Sequence, residues 1–201
     1  MAFFRRHPKA QRHNEVYVKA RILRKVEWKA TDEDSKPDVS FMPMMVRRRL
    51  SMVERAALHV AWQAFNPKEG EETSDSLPEM GKVPVVFASR WGEIGTTLKL
   101  MRQLHSEGEM SPAAFSSSVH NAAPGAWSLL TKNRAPYTAI AARERTYEMG
   151  LLEAETQLAA GGADAVLFVY AEESTPMYYH SAFGEMERAH AVALLLVPER
   201  A

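Results

Sequence analysis

The chain has 201 residues, of which 46% are hydrophobic, and its 25 Lys and Arg balance its 25 Asp and Glu. This length and composition predict one ordinary globular domain with a buried core. A net charge of zero gives no general attraction to nucleic acid or anionic lipid, and the absence of cysteine excludes disulfides, thiolate metal sites and cysteine nucleophiles.

Charge is spread unevenly along the chain. Residues 1–55 hold 14 of the Lys and Arg but 7 of the Asp and Glu, so the first quarter is basic and the remainder is acidic. The start, Met1 to Lys9, is basic without a following apolar run, unlike a secretory signal. No apolar run reaches the ~20 residues of a membrane helix. We expect a soluble, cytoplasmic protein with a basic arm at 1–15 and a single domain at 16–201.

Hydropathy patterns in the first half of the chain predict a strand, a long helix and a second strand. Residues 16–28 begin with β-type alternation that is lost near Ile22, which indicates a strand with a bulge or bend. Apolar residues at steps of three and four over residues 44–65 predict one amphipathic helix, with Glu54 off its buried stripe. The apolar run at 83–89 predicts a buried strand.

The second half alternates helices with short apolar strands. The predicted helices cover residues 95–108, a stretch from 111 and residues 147–160, and the predicted strands cover residues 137–142, 165–170 and 189–197. This alternation predicts an α/β fold, with a mostly parallel sheet covered by helices on both faces. The last strand can run antiparallel to its predecessor.

Candidate catalytic and metal-binding motifs are weak on their own. Ser116-Ser-Ser-Val-His120 brings hydroxyl and imidazole groups together, but the Gly-x-Ser-x-Gly pattern of a nucleophile elbow is absent. We therefore interpret these serines as structural and His120 as a half-buried histidine. The histidines lack metal-site spacing, so no metal or other cofactor is expected. Three arginines at 47–49 could attract an acidic partner, and we interpret them as a solvated helix start.

Four segments in order resemble the β-ketoacyl synthases. They are Phe115–Ser128, Arg134–Ala142, Gly150–Ala154 and Ala163–Val166. The resemblance covers roughly residues 16–197 and implies a thiolase-like half-fold, the amino-terminal half of the complete thiolase fold. More narrowly, the chain is similar to short ketosynthase-like proteins found beside aryl-polyene and other polyene or polyketide synthases.

The resemblance also implies where the family's catalytic cysteine would fall. In ketosynthases a Gly-Pro turn and a strand precede this cysteine, which lies at a helix N-terminus where the dipole favours the thiolate. Ala135-Pro136 matches the turn, and counting on without a gap puts Glu144 at the cysteine position, or Arg145 if the register shifts by one. Neither can form a thioester, and we interpret Glu144 as a residue that interacts with the helix dipole. The family's two catalytic histidines belong to a carboxy-terminal half beyond the matched residues.

This departure implies a subunit without condensing activity, comparable to the chain-length factor that pairs with an active ketosynthase. The implied partners are a full-length β-ketoacyl-ACP synthase and, transiently, acyl carrier protein. In thiolase-fold dimers the strand before the nucleophile and the segment preceding it face the partner. The predicted interface residues are therefore Val119, His120, Asn121, Trp127 and Tyr137. Ordinary core packing explains Trp127 equally well.

Two alternative functions stay open at this point. In one, the chain is a stand-alone ketosynthase-like enzyme in which Glu144 supports an ACP-linked acyl decarboxylation, and a deep polar pocket converging on Glu144 would favour it. In the other, the chain is a homodimeric acyl-binding scaffold. A flat apolar face around Trp127 would favour the chain-length-factor interpretation.

Overall fold

A computed structural model describes residues 20–71, 75–183 and 188–199, and the predicted basic arm at 1–15 lies outside these ranges. The strands are β1 (Ala20–Lys29), β2 (Val85–Ala88), β3 (Tyr137–Ile140), β4 (Val166–Glu172) and β5 (His190–Pro198). The α-helices are α1 (Met44–Arg47), α2 (Met52–Phe65), α3 (Ile94–Glu107), α4 (Pro112–Ser116), α5 (Ala122–Thr131), α6 (Thr146–Ala159) and α7 (His180–Phe183). No α-helix in the described ranges combines the length and apolar character needed to cross a membrane.

The five strands form one mixed sheet in the order β1-β5-β4-β2-β3. β2 pairs in parallel with β3 and β4, whereas β5 pairs antiparallel with both β4 and β1. The α/β prediction and the reversed last strand are confirmed, but two of the four pairings are antiparallel, because β5 lies between strands of the main direction. The bulge predicted in β1 is also confirmed, since its register on β5 shifts between Ile22 and Arg24.

Helices cover both faces of the sheet, as predicted. α2 and α5 pack on the face that presents Phe87 and Leu167, and α6 packs on the face that presents Val86 and Phe168. Both faces are therefore buried, which is why β2 and β4 are continuous apolar runs. Gly150 allows α6 to lie close to the sheet, because a Cβ atom there would be 2.7 Å from Phe168 Cε2.

The single helix predicted over residues 44–65 is wrong, because the chain forms two helices there. Ser51 starts α2 with a capping box: its Oγ accepts from the Glu54 N–H at 3.0 Å, and its own N–H donates to Glu54 Oε2 at 2.8 Å. These bonds satisfy N–H groups at the helix start. They also turn Glu54 inward, where it is 5% exposed, so the prediction that it lies off the buried stripe is wrong as well.

Candidate functional site

The carboxyl ends of β2, β3 and β4 meet at one edge of the sheet, a common location for functional groups in α/β proteins. The connection after β2 leads through α5 on one face, and the connection after β3 leads through α6 on the other. The chain therefore leaves the neighbouring strands β2 and β3 toward opposite faces of the sheet. Three loops follow these strand ends, at residues 89–93, 141–145 and 173–176. We call these loops, together with Glu172 at the end of β4, the strand-end site.

Glu172 ties the first loop of the strand-end site to β4. Its carboxylate accepts hydrogen bonds from Ser89 Oγ at 3.2 Å and from the backbone N–H groups of Arg90 and Trp91. Burial raises the pKa of Glu172, and these hydrogen bonds oppose that rise. Ser89 Oγ also accepts the Gly92 N–H at 2.8 Å. Because Ser89 is completely buried, its hydroxyl is structural and does not reach a substrate.

A second group of carboxylates lies beside the first loop. Glu93 is 3% exposed, and its two oxygens accept from Ser51 Oγ at 3.0 Å and from Thr96 Oγ1 at 3.2 Å. Burial, reinforced by the neighbouring carboxylates of Glu54 and Glu173, raises the pKa of Glu93 to about 8. Glu93 is thus mostly protonated at neutral pH. Sequence reasoning missed this group, although acidic residues directly after apolar strands are a visible signal.

The turn after β3 has an unusual backbone conformation. Arg143 has a φ of +55°, a region that side chains with a Cβ atom seldom occupy. Thr146 holds the turn in place, because its Oγ1 donates to the Arg143 carbonyl at 2.7 Å and accepts the Ala142 N–H at 2.9 Å. The turn therefore projects the next residues away from the core.

Glu144 and Arg145, the two residues predicted at the family's nucleophile position, lie on the surface of this turn. The Glu144 side chain is 70% exposed and forms an ion pair with Arg90, with 2.8 Å between Oε1 and Nη2. Exposed pairs of this kind contribute about 0–1 kcal/mol to stability. Glu144 is therefore a surface residue that joins the first and second loops.

The five predicted interface residues divide into exposed and inward-facing groups. Val119, Asn121 and Tyr137 are exposed, and Asn121 Nδ2 donates to the Tyr137 hydroxyl at 3.2 Å. His120 is half-buried as expected, with Nε2 2.7 Å from the carbonyl oxygen of Ser89. Its ring supports the first loop of the strand-end site instead of facing solvent.

Trp127 belongs to the core. It is 3% exposed and its ring lies 6.0 Å from that of Phe65, between α5 and α2. A side chain with so little free surface cannot anchor a partner, so the structure does not support Trp127 as an interface residue. Leu129, two residues further along α5, is 85% exposed. Sequence reasoning missed it because both residues belong to the same apolar segment.

β3 forms one edge of the sheet, with β2 on one side and no described strand on the other. A groove of about 480 Å³ lies beside it, lined by residues of α5, by Ser116, Ser117, Val119 and Asn121, by Tyr137 and by Glu54. We call this the α5–β3 groove. An edge strand next to exposed apolar side chains is suited to pairing with another chain.

The strand-end site contains no nucleophile activated by a base. The chain has no thiol, Ser89 is buried, and Glu144 is paired on the surface. In the part of the chain that the structure describes, no three His, Asp or Glu side chains are grouped as a metal site requires. The hydrogen bonds at this site hold its own loops in place, since Glu172 binds the first loop and Thr146 binds the turn after β3.

Solved structures similar to this chain include ketosynthases in complex with their partner proteins. The ketosynthase ApeO in complex with its chain length factor ApeC from Xenorhabdus doucetiae has a chain 28% identical to this one, with a TM-score of 0.66, covering 80% of this chain and 63% of that one. The ishigamide ketosynthase/chain length factor has 17% identity and a TM-score of 0.64, covering 76% of this chain and 45% of that chain.

A third structure, AntDE:AntF, contains a type II PKS acyl-carrier protein in complex with its ketosynthase. Its matched chain has 16% identity and a TM-score of 0.62, covering 80% of this chain and 50% of that one. This chain therefore spans less than two thirds of the length of the structures it matches. The matches below 25% identity establish the fold alone.

Sequence comparison identifies the family. No curated protein matches this chain. The family model for the β-ketoacyl synthase N-terminal domain matches residues 23–201, almost the whole chain. Together with the thiolase-like fold of its structural neighbours, this match shows that the chain belongs to the β-ketoacyl synthase N-terminal domain family.

Proposed function

We propose that this chain is a non-condensing, chain-length-factor-like subunit that pairs with an active β-ketoacyl-ACP synthase in polyene, polyketide or fatty-acid-like biosynthesis, including aryl-polyene assembly. The observation that carries the proposal is the loss of the nucleophile. The sequence has no cysteine, and Glu144, at the position implied for it, is exposed and paired with Arg90. The similarity to a ketosynthase in complex with its chain length factor supports the pairing.

The β3 edge and the α5–β3 groove form the proposed interface. Val119, Leu129 and Tyr137 are exposed apolar or aromatic side chains on this side of the molecule. A partner strand or loop laid along β3 would satisfy its free backbone groups and cover these side chains. The same face contains Asn121, which hydrogen-bonds Tyr137 and keeps that ring in place.

Acyl carrier protein is the proposed transient partner, and α1 offers it a suitable surface. Met44, Met45 and Val46 are exposed there, directly before the basic residues at 47–49. Exposed apolar side chains next to positive charge attract an acidic partner with an apolar contact. The AntDE:AntF complex, which contains a ketosynthase and an acyl-carrier protein, is consistent with this assignment.

The alternative in which Glu144 supports decarboxylation requires a different environment. A catalytic carboxyl group needs an enclosed site that excludes water and positions the substrate. Glu144 is 70% exposed and pairs with Arg90 instead. The exposure of Glu144 therefore argues against an independent reaction.

Isolation of the natural complex tests the proposed pairing. A tagged copy of this chain, expressed in its source organism, is expected to co-purify with a ketosynthase that has the catalytic cysteine. Mass spectrometry identifies that protein, and light scattering on the co-expressed pair is expected to give a one-to-one complex. Recovery of a homodimer alone would favour the scaffold alternative and contradict the proposal.

Replacing Leu129 with aspartate is expected to weaken the complex tenfold or more. Leu129 is an exposed apolar residue at the proposed interface, and a carboxylate there must be desolvated when the partner binds. Leu152→Asp on α6 is the matched control, because Leu152 is also an exposed leucine but lies on the opposite face. Calorimetric titration measures both affinities. Equal effects of the two variants would show that the interface does not include β3 and α5.

The purified chain is expected to form no carbon–carbon bond between acyl and malonyl thioesters. Glu144→Cys is also expected to stay inactive, because a lone thiol lacks the groups that activate it and stabilise the oxyanion. Mass spectrometry of the carrier-bound products measures the reaction, with an active ketosynthase as the positive control. Product formation by either form would contradict a non-condensing role.

A further inference from the structure

We propose that the α5–β3 groove receives a positively charged side chain of the partner ketosynthase, which forms an ion pair with Glu54. The inference rests on the proposed function and specifies the chemistry of its interface. It follows from the position of Glu54, from the burial of its carboxylate and from the hydrogen-bonding capacity of the groove's rim.

Glu54 is a buried carboxylate that borders the groove. It is 5% exposed, and the capping box uses only one of its oxygens, since Oε2 accepts the Ser51 N–H at 2.8 Å. Its other oxygen, Oε1, accepts no hydrogen bond from any residue in the described ranges, and it keeps some contact with solvent. This oxygen is therefore available to a donor that enters the groove.

Burial of Glu54 outweighs the electrostatic stabilisation that the chain gives to its carboxylate. Burial raises the pKa of Glu54, and the hydrogen bonds of Ser51 and the positive charge of Arg55 oppose that rise. The Arg55 guanidinium also donates to the carbonyl oxygen of Arg47. A cation entering the groove would offset this desolvation.

Polar groups on the groove's rim provide acceptors more than donors. The hydroxyls of Ser116 and Ser117 donate to backbone carbonyls of their own turn, at 2.8 Å and 3.0 Å, which leaves their lone pairs free to accept. Asn121 uses its NH₂ group on Tyr137. Lysine and arginine side chains are donors without acceptors. The rim therefore complements a basic side chain in hydrogen bonding as well as in charge.

The location of the groove indicates the source of this side chain. Tyr137 is both a lining residue and the first residue of the edge strand β3, so the groove continues directly into the proposed interface. A ketosynthase laid along β3 would cover the groove at the same time. The groove would then fix the register of the partner, because an ion pair is more position-dependent than apolar contact.

Glu54→Gln is expected to weaken the complex with the co-purifying ketosynthase tenfold or more, as measured by calorimetric titration. Glutamine keeps an oxygen that can accept the Ser51 N–H, so the cap persists while the charge is removed. Ser51→Ala is the control for a purely structural role. It should lower the melting temperature through loss of the cap and leave the affinity within twofold of wild type.

The sign of the charge is tested at the exposed rim residue Asn121. Asn121→Lys should weaken binding at least fivefold more than Asn121→Asp, because both variants remove the bond donated to Tyr137 while a cation in the groove is repelled by lysine and attracted by aspartate. Unchanged affinity in Glu54→Gln, or equal weakening by both Asn121 variants, would overturn the ion pair while leaving the pairing intact. Absence of any complex with wild-type chain would overturn the proposed function and this inference together.

Discussion

Replacing Trp127 with alanine is expected to lower the free energy of unfolding by about 3–5 kcal/mol, the range for removing a large aromatic side chain from a core. Trp127 is 3% exposed and packs against Phe65 between two helices. Its surroundings include Ala57, Ala61 and Ala123, whose short side chains cannot fill the space that the indole leaves. Urea unfolding followed by circular dichroism measures the loss.

Two further variants separate the contributions at this position. Trp127→Phe should cost less than alanine, because it keeps a ring and removes a buried indole N–H that has no hydrogen-bond partner in the described structure. Leu129→Ala, on the same helix but exposed, should change stability by about 0.5 kcal/mol or less. Wild-type stability in Trp127→Ala combined with lost partner affinity would restore Trp127 as an interface anchor.

Replacing Glu93 with glutamine is expected to increase the free energy of unfolding at pH 8 by a few kcal/mol. This is about the free energy that corresponds to the pKa shift that the variant removes. The pKa of Glu93 is raised to about 8 by burial and by nearby carboxylates, whereas the unfolded chain has the ordinary value of 4.5. The folded state therefore holds a proton that the unfolded state releases between these pH values. Stability conferred by that proton is lost as the pH rises from about 4.5 to 8.

Thermal unfolding at pH 5 and pH 8 measures this effect. The wild type should lose stability across the interval, and Glu93→Gln should lose less of it. Part of the decrease in stability with pH should persist in the variant, because burial also raises the pKa of Glu54, Glu172 and Glu173. Glu155→Gln, an exposed position on α6, should follow the wild type. Identical pH dependence in Glu93→Gln and wild type would show that Glu93 is ionised in the folded state.

The Met44–Phe65 region shows what the spacing of apolar residues can and cannot predict. Apolar spacing correctly predicted helical structure and the buried side of α2, because residues three and four apart share a helix face. It did not predict the break before Ser51, which depends on two specific hydrogen bonds. The sequence contains the Ser-x-x-Glu spacing of a capping box at Ser51 and Glu54. Recognising this motif would have predicted a helix start at Ser51 and an inward-facing Glu54 side chain.

Residues of the candidate site were only partly predictable. The position of Glu144 followed from the family resemblance, and the absence of a thiol followed from composition. The hydrogen-bond partners of the buried carboxylates were not predictable from the sequence. The Ser51–Glu93 contact joins residues 42 positions apart, and the Ser89–Glu172 contact joins residues 83 positions apart. Such contacts arise when distant segments meet at the strand ends, and no local periodicity encodes them.

The sequence by itself determined the order of the five strands and of the long helices α2, α3 and α6, the α/β class and the lack of a cysteine nucleophile, because these depend on residue identity and on the period of apolar side chains. Tertiary structure alone decided that Trp127 is internal while Leu129 is exposed, and that β3 forms an edge of the sheet. Both residues belong to one apolar segment, and the surfaces that become buried depend on which elements pack against it. That choice is made by contacts between segments far apart in the chain.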